Sequence, residues 1–215
     1  FANLALGLVG LDTMMDVARW RVAVTRSIPG SLVLGFALLA HVAFSLVRLA
    51  ERRTLRMPPW EAAQTLLGFA IPFLLVPHVL GTRIASLVDG TRTNYPYVIV
   101  RIWPDGMGLQ TALLLVVWLH GCLGLHAWLR LSPLYRRMAP VLAVPAVGLP
   151  AAALAGIVTQ GRLMERDTVL ARRFDAPDLA ARWQVPPLDS TVAAWGDTVT
   201  GAIYAAVAVA LGIVL

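Results

Sequence analysis

An all-α membrane fold, a bundle of six transmembrane helices, is what three features of this sequence predict. Of the 215 residues, 58% are hydrophobic and 14% charged, whereas soluble domains run to about one-quarter charged. The apolar residues fall in blocks long enough to cross a bilayer, and the charged residues are confined to the gaps between those blocks. A soluble domain of this length needs a polar shell, and at a mean hydropathy of +0.72 the residues to build one are missing.

Taking about 20 apolar residues as one crossing, residues 31–49, 60–81, 107–129, 141–160 and 198–215 each qualify. Residues 1–11 are also apolar, but at helical rise they reach only about 16 Å, half of the hydrocarbon thickness. They are expected to be the second half of a sixth span. The chain is then one unit, 1–215, that begins and ends within helices of something longer, with a catalytic domain expected after residue 215. Prolines at 72, 77, 145 and 150 punctuate the spans, where each removes a backbone donor and tends to kink a helix. Between the last two blocks, residues 162–174 place Leu163, Val169, Leu170 and Phe174 near helical spacing, which predicts a short interfacial helix. Pro177, Pro186 and Pro187 follow it and break any longer one.

All eighteen basic residues are arginine, against twelve acids, for a net charge of +6. The arginines sit between apolar blocks rather than along one face, which is a pattern of membrane topology and not of nucleic-acid binding. Arg48, Arg52, Arg53 and Arg56 crowd one short loop, and Arg130, Arg136 and Arg137 another. Both fall on one side of an alternating bundle, and that side is expected to be cytoplasmic, as are both termini. The lone cysteine, Cys122, lies in an apolar run. It excludes a disulfide scaffold and suits helix packing.

The four histidines, His41, His78, His120 and His126, all fall within expected spans. An ionisable side chain in the bilayer is costly and faces a partner, the bundle interior or a cofactor. Neutral imidazole in an apolar site is a common axial ligand of haem iron, and without a Cys-x-x-Cys-His sequence the haem would be b-type. A zinc site is disfavoured, because His120 and His126 are six residues apart and thus about 240° apart around a helix. Height along the helices pairs His41 with a histidine of residues 107–129, His126 ahead of His120. His78, near the opposite edge, is left without an obvious partner.

Three segments carry a resemblance: Arg53-Thr-Leu-Arg-Met-Pro-Pro-Trp-Glu61, Pro77-His-Val-Leu-Gly-Thr-Arg83 and Trp118-Leu-His-Gly-Cys-Leu-Gly-Leu-His-Ala-Trp-Leu-Arg130. They resemble the membrane anchor of bacterial class III adenylate cyclases, a six-helix, dihaem, cytochrome b-like unit itself similar to succinate dehydrogenase anchors. His78, Gly81 and Arg83 resemble the His-x-x-x-Gly-x-Arg element of the latter, one residue shorter. The resemblance implies two b haems ligated by the four histidines, electron exchange with quinone, and a cytoplasmic cyclase module in the same chain, working as a homodimer in the bacterial inner membrane. Arg83 and Tyr95, with Asn94 and Tyr97, are the polar groups expected at a quinone headgroup on the outer side. The alternative is a cytochrome b subunit anchoring a flavoprotein and iron–sulfur pair, which would use the same histidines. A channel or transporter is disfavoured, since it would need charged groups at the membrane midplane.

Overall fold

A computed structural model describes residues 1–52, 56–88, 90, 92–181, 183–184 and 190–214. Arg53, Pro186 and Pro187 lie outside these. In chain order the elements are α1 (Ala2–Ala5) with a 3₁₀ turn (Leu6–Leu8), α2 (Leu11–Thr25), α3 (Ile28–Ala50), α4 (Pro59–Val79), a π turn (Leu80–Ile84), α5 (Ala85–Val88), α6 (Tyr95–Ile102), α7 (Met107–Leu129), α8 (Pro133–Arg173), α9 (Pro177–Ala181) and α10 (Ser190–Val214). The fold is all-α.

Helix starts follow one recurring device. The side chains of Ser27, Asn94 and Ser132 accept from the backbone N–H of Gly30 (3.1 Å), Tyr97 (3.1 Å) and Tyr135 (3.5 Å), and a proline stands in the first turn that follows each cap. The cap oxygen satisfies one orphan amide, and proline there has no amide to satisfy.

Among the described residues four helices are long and apolar enough to cross a membrane: Ile28–Ala50, Pro59–Val88, Met107–Leu129 and Pro133–Arg173. The chain is a multi-pass membrane protein with four such helices, which corrects the six expected and, with them, the likeness to six-helix dihaem anchors. At one end, Gly7 and Gly10 divide the first block, so that only the four residues of α1 and a 3₁₀ turn precede α2. At the other, α10 is 25 residues long but its described apolar stretch, Gly196–Val209, is shorter than a crossing. The expected interfacial helix is no separate element either. Residues 162–173 continue α8, a rod of 41 residues that spans about 60 Å at helical rise, about twice the hydrocarbon thickness.

The polar half of α8 carries a cap. Leu11 and Met14 of α2, Tyr95 and Ile99 of α6, and Trp183 form its buried core, with Leu163 and Met164 of α8 packed against them. Trp183 Nε1 donates to Asp167 Oδ2 (3.1 Å), tying the chain after α9 back to α8 and giving the buried carboxylate a neutral donor besides the exposed Arg166. By contrast α3 has no buried residue, as suits a helix whose apolar surface meets lipid. Its main packing neighbours are α2 and α10, while α4 and α7 form the tightest pair of the bundle.

The prolines explain two polar contacts between spans. Pro77 has no N–H for the carbonyl of Phe73, and Tyr204 of α10 donates its hydroxyl there (2.9 Å). Pro150 likewise frees the carbonyl of Ala146, which accepts from Trp118 Nε1 of α7 (2.7 Å). Each of these two prolines thus frees an acceptor that a neighbouring helix fills, where no water in the hydrocarbon can. Trp118→Phe should therefore destabilise the α7–α8 pair by about 1–2 kcal/mol, read as a fall in the thermal midpoint in detergent. An unchanged midpoint would show that the bond contributes nothing.

Candidate functional site

α3 and α7 bring His41 and His120 together edge-on, with His41 exposed on the surface of the bundle. Their ring centroids are 6.0 Å apart with the planes at 89°. His120 is oriented from behind: its Nδ1 lies 3.1 Å from the backbone carbonyl of Gln64 on α4. A carbonyl only accepts, so Nδ1 carries the proton and Nε2 keeps the lone pair. That is the arrangement of a ligating imidazole, whose outer nitrogen is fixed by a carbonyl or carboxylate. Beside the ring, α4 presents Gly68, where a Cβ would come 3.1 Å from His120 Cε1. The absence of a side chain gives the imidazole its room.

His41 and His120 are the residues that would hold an iron-containing group here, which would supply one-electron chemistry. An ion held by side chains alone needs three or four of them, and no group of three or more His, Cys, Asp or Glu converges anywhere among the described residues. A macrocycle supplies the equatorial ligands itself and asks the protein for one or two. On the same helix as Gly68, Gln64 Oε1 is buried without a partner, with the side-chain amide close to Gly124 of α7.

The other two histidines stand elsewhere. His126, the sequence's first choice as partner of His41, has its Nδ1 3.0 Å from the hydroxyl of Tyr135 at the start of α8. Six residues of helix separate it from His120 and turn it to another face. His78 lies at the far end of α4, next to the Gln110 side chain, and no second histidine faces it among the described residues.

Of the groups expected at a quinone headgroup, Arg83 donates to Ser31 Oγ (3.0 Å) and Tyr95 donates to Asn3 Oδ1 (2.8 Å). They are held by different elements and do not converge on one slot. Burial raises the Tyr95 phenol above its ordinary range, partly offset by the neighbouring Arg21 guanidinium, so it remains a neutral donor. A different slot opens beside His78. It measures about 230 Å³ and is walled by Leu74, Leu109 and Leu113, with His78, Thr82, Arg101, Gln110 and the expected Tyr97 as its polar lining.

Comparison with family models, curated proteins and solved structures finds no match. The case for a site therefore rests on the geometry of this chain alone.

Gln64, Gly68 and Gln110 went unnoticed in the sequence, although a signal existed. Gln64 and Gly68 are four residues apart on one face of an apolar span, and a lone amide in such a span needs a partner as a histidine does. Arg52 pairs with Glu61, tying the end of α3 to the start of α4, and Arg130 stacks over the Trp60 ring at 4.9 Å, tying the end of α7 to the same turn. Gly68→Leu is expected to abolish whatever ligand His120 holds, by driving the ring off its carbonyl, while Gly68→Ala should weaken it by less than about tenfold, since the neighbour need move only tenths of an ångström. Equal retention of ligand by both variants and the parent would count against the site.

Proposed function

We propose that the chain is a membrane anchor that holds one b-type haem between His41 and His120 and serves as a redox-sensing element. The supporting observation is the pair of adjacent imidazoles, one of them locked by the Gln64 carbonyl into the tautomer that leaves Nε2 free to ligate. A haem bound there supplies reversible one-electron exchange. The protein's own contribution is orientation and exclusion of water: α4 fixes His120, and α3, packed chiefly on α2 and α10, presents His41 across the intervening space.

Quinone is the proposed membrane partner, with its headgroup in the slot at His78 and Gln110. The slot offers polar edges at one end and apolar walls for a tail. Gln110 and His120 lie on one helix ten residues apart, about 15 Å at helical rise. In this reading the arginine-dense loops face the cytoplasm of a bacterium, and the regulated output is a cAMP-forming module joined to the anchor. The test is a dithionite-reduced minus oxidised spectrum of protein produced with ample haem. A b-type α band at about one haem per chain is expected, and its absence would refute the haem reading. For the output, membranes of the full-length protein poised with oxidised or reduced quinone should form cAMP at different rates. Equal rates while the haem changes redox state would remove the sensing role and leave the anchor.

A further inference from the structure

Between α2, the segment leading into α6, and the outer turns of α4 lies a cavity of about 690 Å³, within the size range of small-molecule sites. Arg19, Arg21, Arg26 and Arg92 line it, and no carboxylate does among the described residues. Arg19 is already paired with Asp16, both exposed. The charges that remain are satisfied by neutral oxygens alone. Arg26 donates to Ser86 Oγ (3.0 Å) and Thr93 Oγ1 (2.7 Å), and Arg21 Nε reaches Asn3 Oδ1 at 3.5 Å. Just behind them Arg83 is held by Ser31. Burial, then Arg83, then Arg21 push Arg26 below the ordinary arginine range, so these guanidiniums feel one another.

Arg26 is partly buried while Arg21 and Arg92 are exposed, and like charges gathered around one cavity repel one another until an anion joins them. Hydroxyl and amide oxygens satisfy N–H groups but cancel no charge. Arginine is the side chain best shaped for phosphate and carboxylate oxygens. The cavity is also larger than a bare inorganic anion requires, and beside the polar His78, Thr82, Asn94 and Gln110 its wall has the partly exposed apolar side chains of Leu4, Met15, Val98 and Ile102. An anionic head and an organic body are both accommodated.

We propose that this cavity binds a phosphate ester, its phosphate held by Arg21, Arg26 and Arg92 and its body against Met15 and Val98. Two sources share that chemistry: the headgroup of an acidic phospholipid, and a soluble phosphorylated metabolite. The site uses neither His41 nor His120, but it shares His78, Thr82 and Gln110 with the slot proposed for quinone.

The experiment uses the whole protein in nanodiscs. One arm titrates glycerol 3-phosphate into protein in phosphatidylcholine discs by calorimetry. The other measures, by native mass spectrometry, phosphatidylglycerol retained from discs of mixed lipid. At least one probe is expected to bind, with affinity falling as salt rises, and to bind roughly tenfold more weakly to Arg26→Gln. Arg26 also ties Ser86 to Thr93, so Arg21→Gln, whose side chain is exposed, is run as a second variant with less risk to folding. The arm that responds identifies the source. Failure of both probes to bind, or equal binding by parent and Arg21→Gln, overturns the proposal. Haem per chain is measured on the same samples: if it falls in step with the anion, the guanidiniums serve haem carboxylates and the proposal is wrong.

Discussion

Replacing His120 with alanine is expected to remove haem from the purified protein, while His126→Ala leaves it in place. Both residues are on α7, both fall within a turn or two of the height of His41, and the sequence alone favoured His126. The structure separates them by what stands behind each ring. His120 has the Gln64 carbonyl at Nδ1 and His41 across from it, whereas His126 has the Tyr135 hydroxyl. Loss of a group that merely orients a ligand typically costs 10–100-fold in metal affinity, so loss of the ligand should exceed about 100-fold. Haem per protein, by pyridine haemochrome, checks this. His41→Ala should lower retention and leave the iron high-spin in what remains. The orienting group is a main-chain carbonyl, so Gln64→Leu should keep the haem, and by removing the orphan Oε1 it should raise stability modestly. Haem retained by His120→Ala at parental stoichiometry would place the ligand elsewhere.

Gly156→Val is expected to be the most damaging substitution for the fold. A Cβ at Gly156 would stand 2.2 Å from the carbonyl oxygen of Leu4, and one at Gly7 would stand 2.7 Å from the carbonyl oxygen of Gly156. The first segment therefore rests directly on α8, backbone on backbone. Next to this contact the buried Gln160 donates its Nε2 to the carbonyl of Gly7 (2.6 Å). A main-chain oxygen cannot swing aside as the end of a side chain does, so a valine must push the two elements apart and leave Gln160 and Gly7 unpaired. Overpacking costs about 1–3 kcal/mol, and the unmade buried hydrogen bond about 1–3 more. The expected result is a large fall in the thermal midpoint together with protease cutting near the 3₁₀ turn. Gly148→Val, where a Cβ meets nothing within 4 Å, is the matched control and should change little. Equal midpoints for the two variants would mean the close approach is not formed.

How much of this was legible beforehand differs from element to element. The helices that hold the candidate site follow from composition: once apolar residues run for the length of a crossing, the backbone must satisfy itself, and only a helix does so in one segment. The sequence placed residues 31–49 and 107–129 within a few residues of Ile28–Ala50 and Met107–Leu129, but it stopped short of the ends of Pro59–Val88 and Pro133–Arg173, and the expected loop residues Arg136 and Arg137 fall inside α8. The count of six was not, because a tally of apolar residues cannot tell a crossing from a short helix laid along α8, nor a polar amphipathic stretch from the continuation of a long rod. Proline positions predicted kinks, but not that Trp118 and Tyr204 would serve the carbonyls those kinks release.

What the sequence determined by itself is the solvent this protein is built for, together with the fact that every histidine lies in an apolar span. Both follow from local composition, since transfer to hydrocarbon is set residue by residue. Tertiary structure alone decided which histidines meet. Height fixes where a residue lies along its helix, whereas facing depends on the rotation of each helix about its own axis, and that is set by packing against neighbours such as Gly68 and Gln64 on α4. The arginine cavity is the same case. Its charges are scattered from residue 19 to residue 92, and only the folding of the cap over the bundle gathers them into one place.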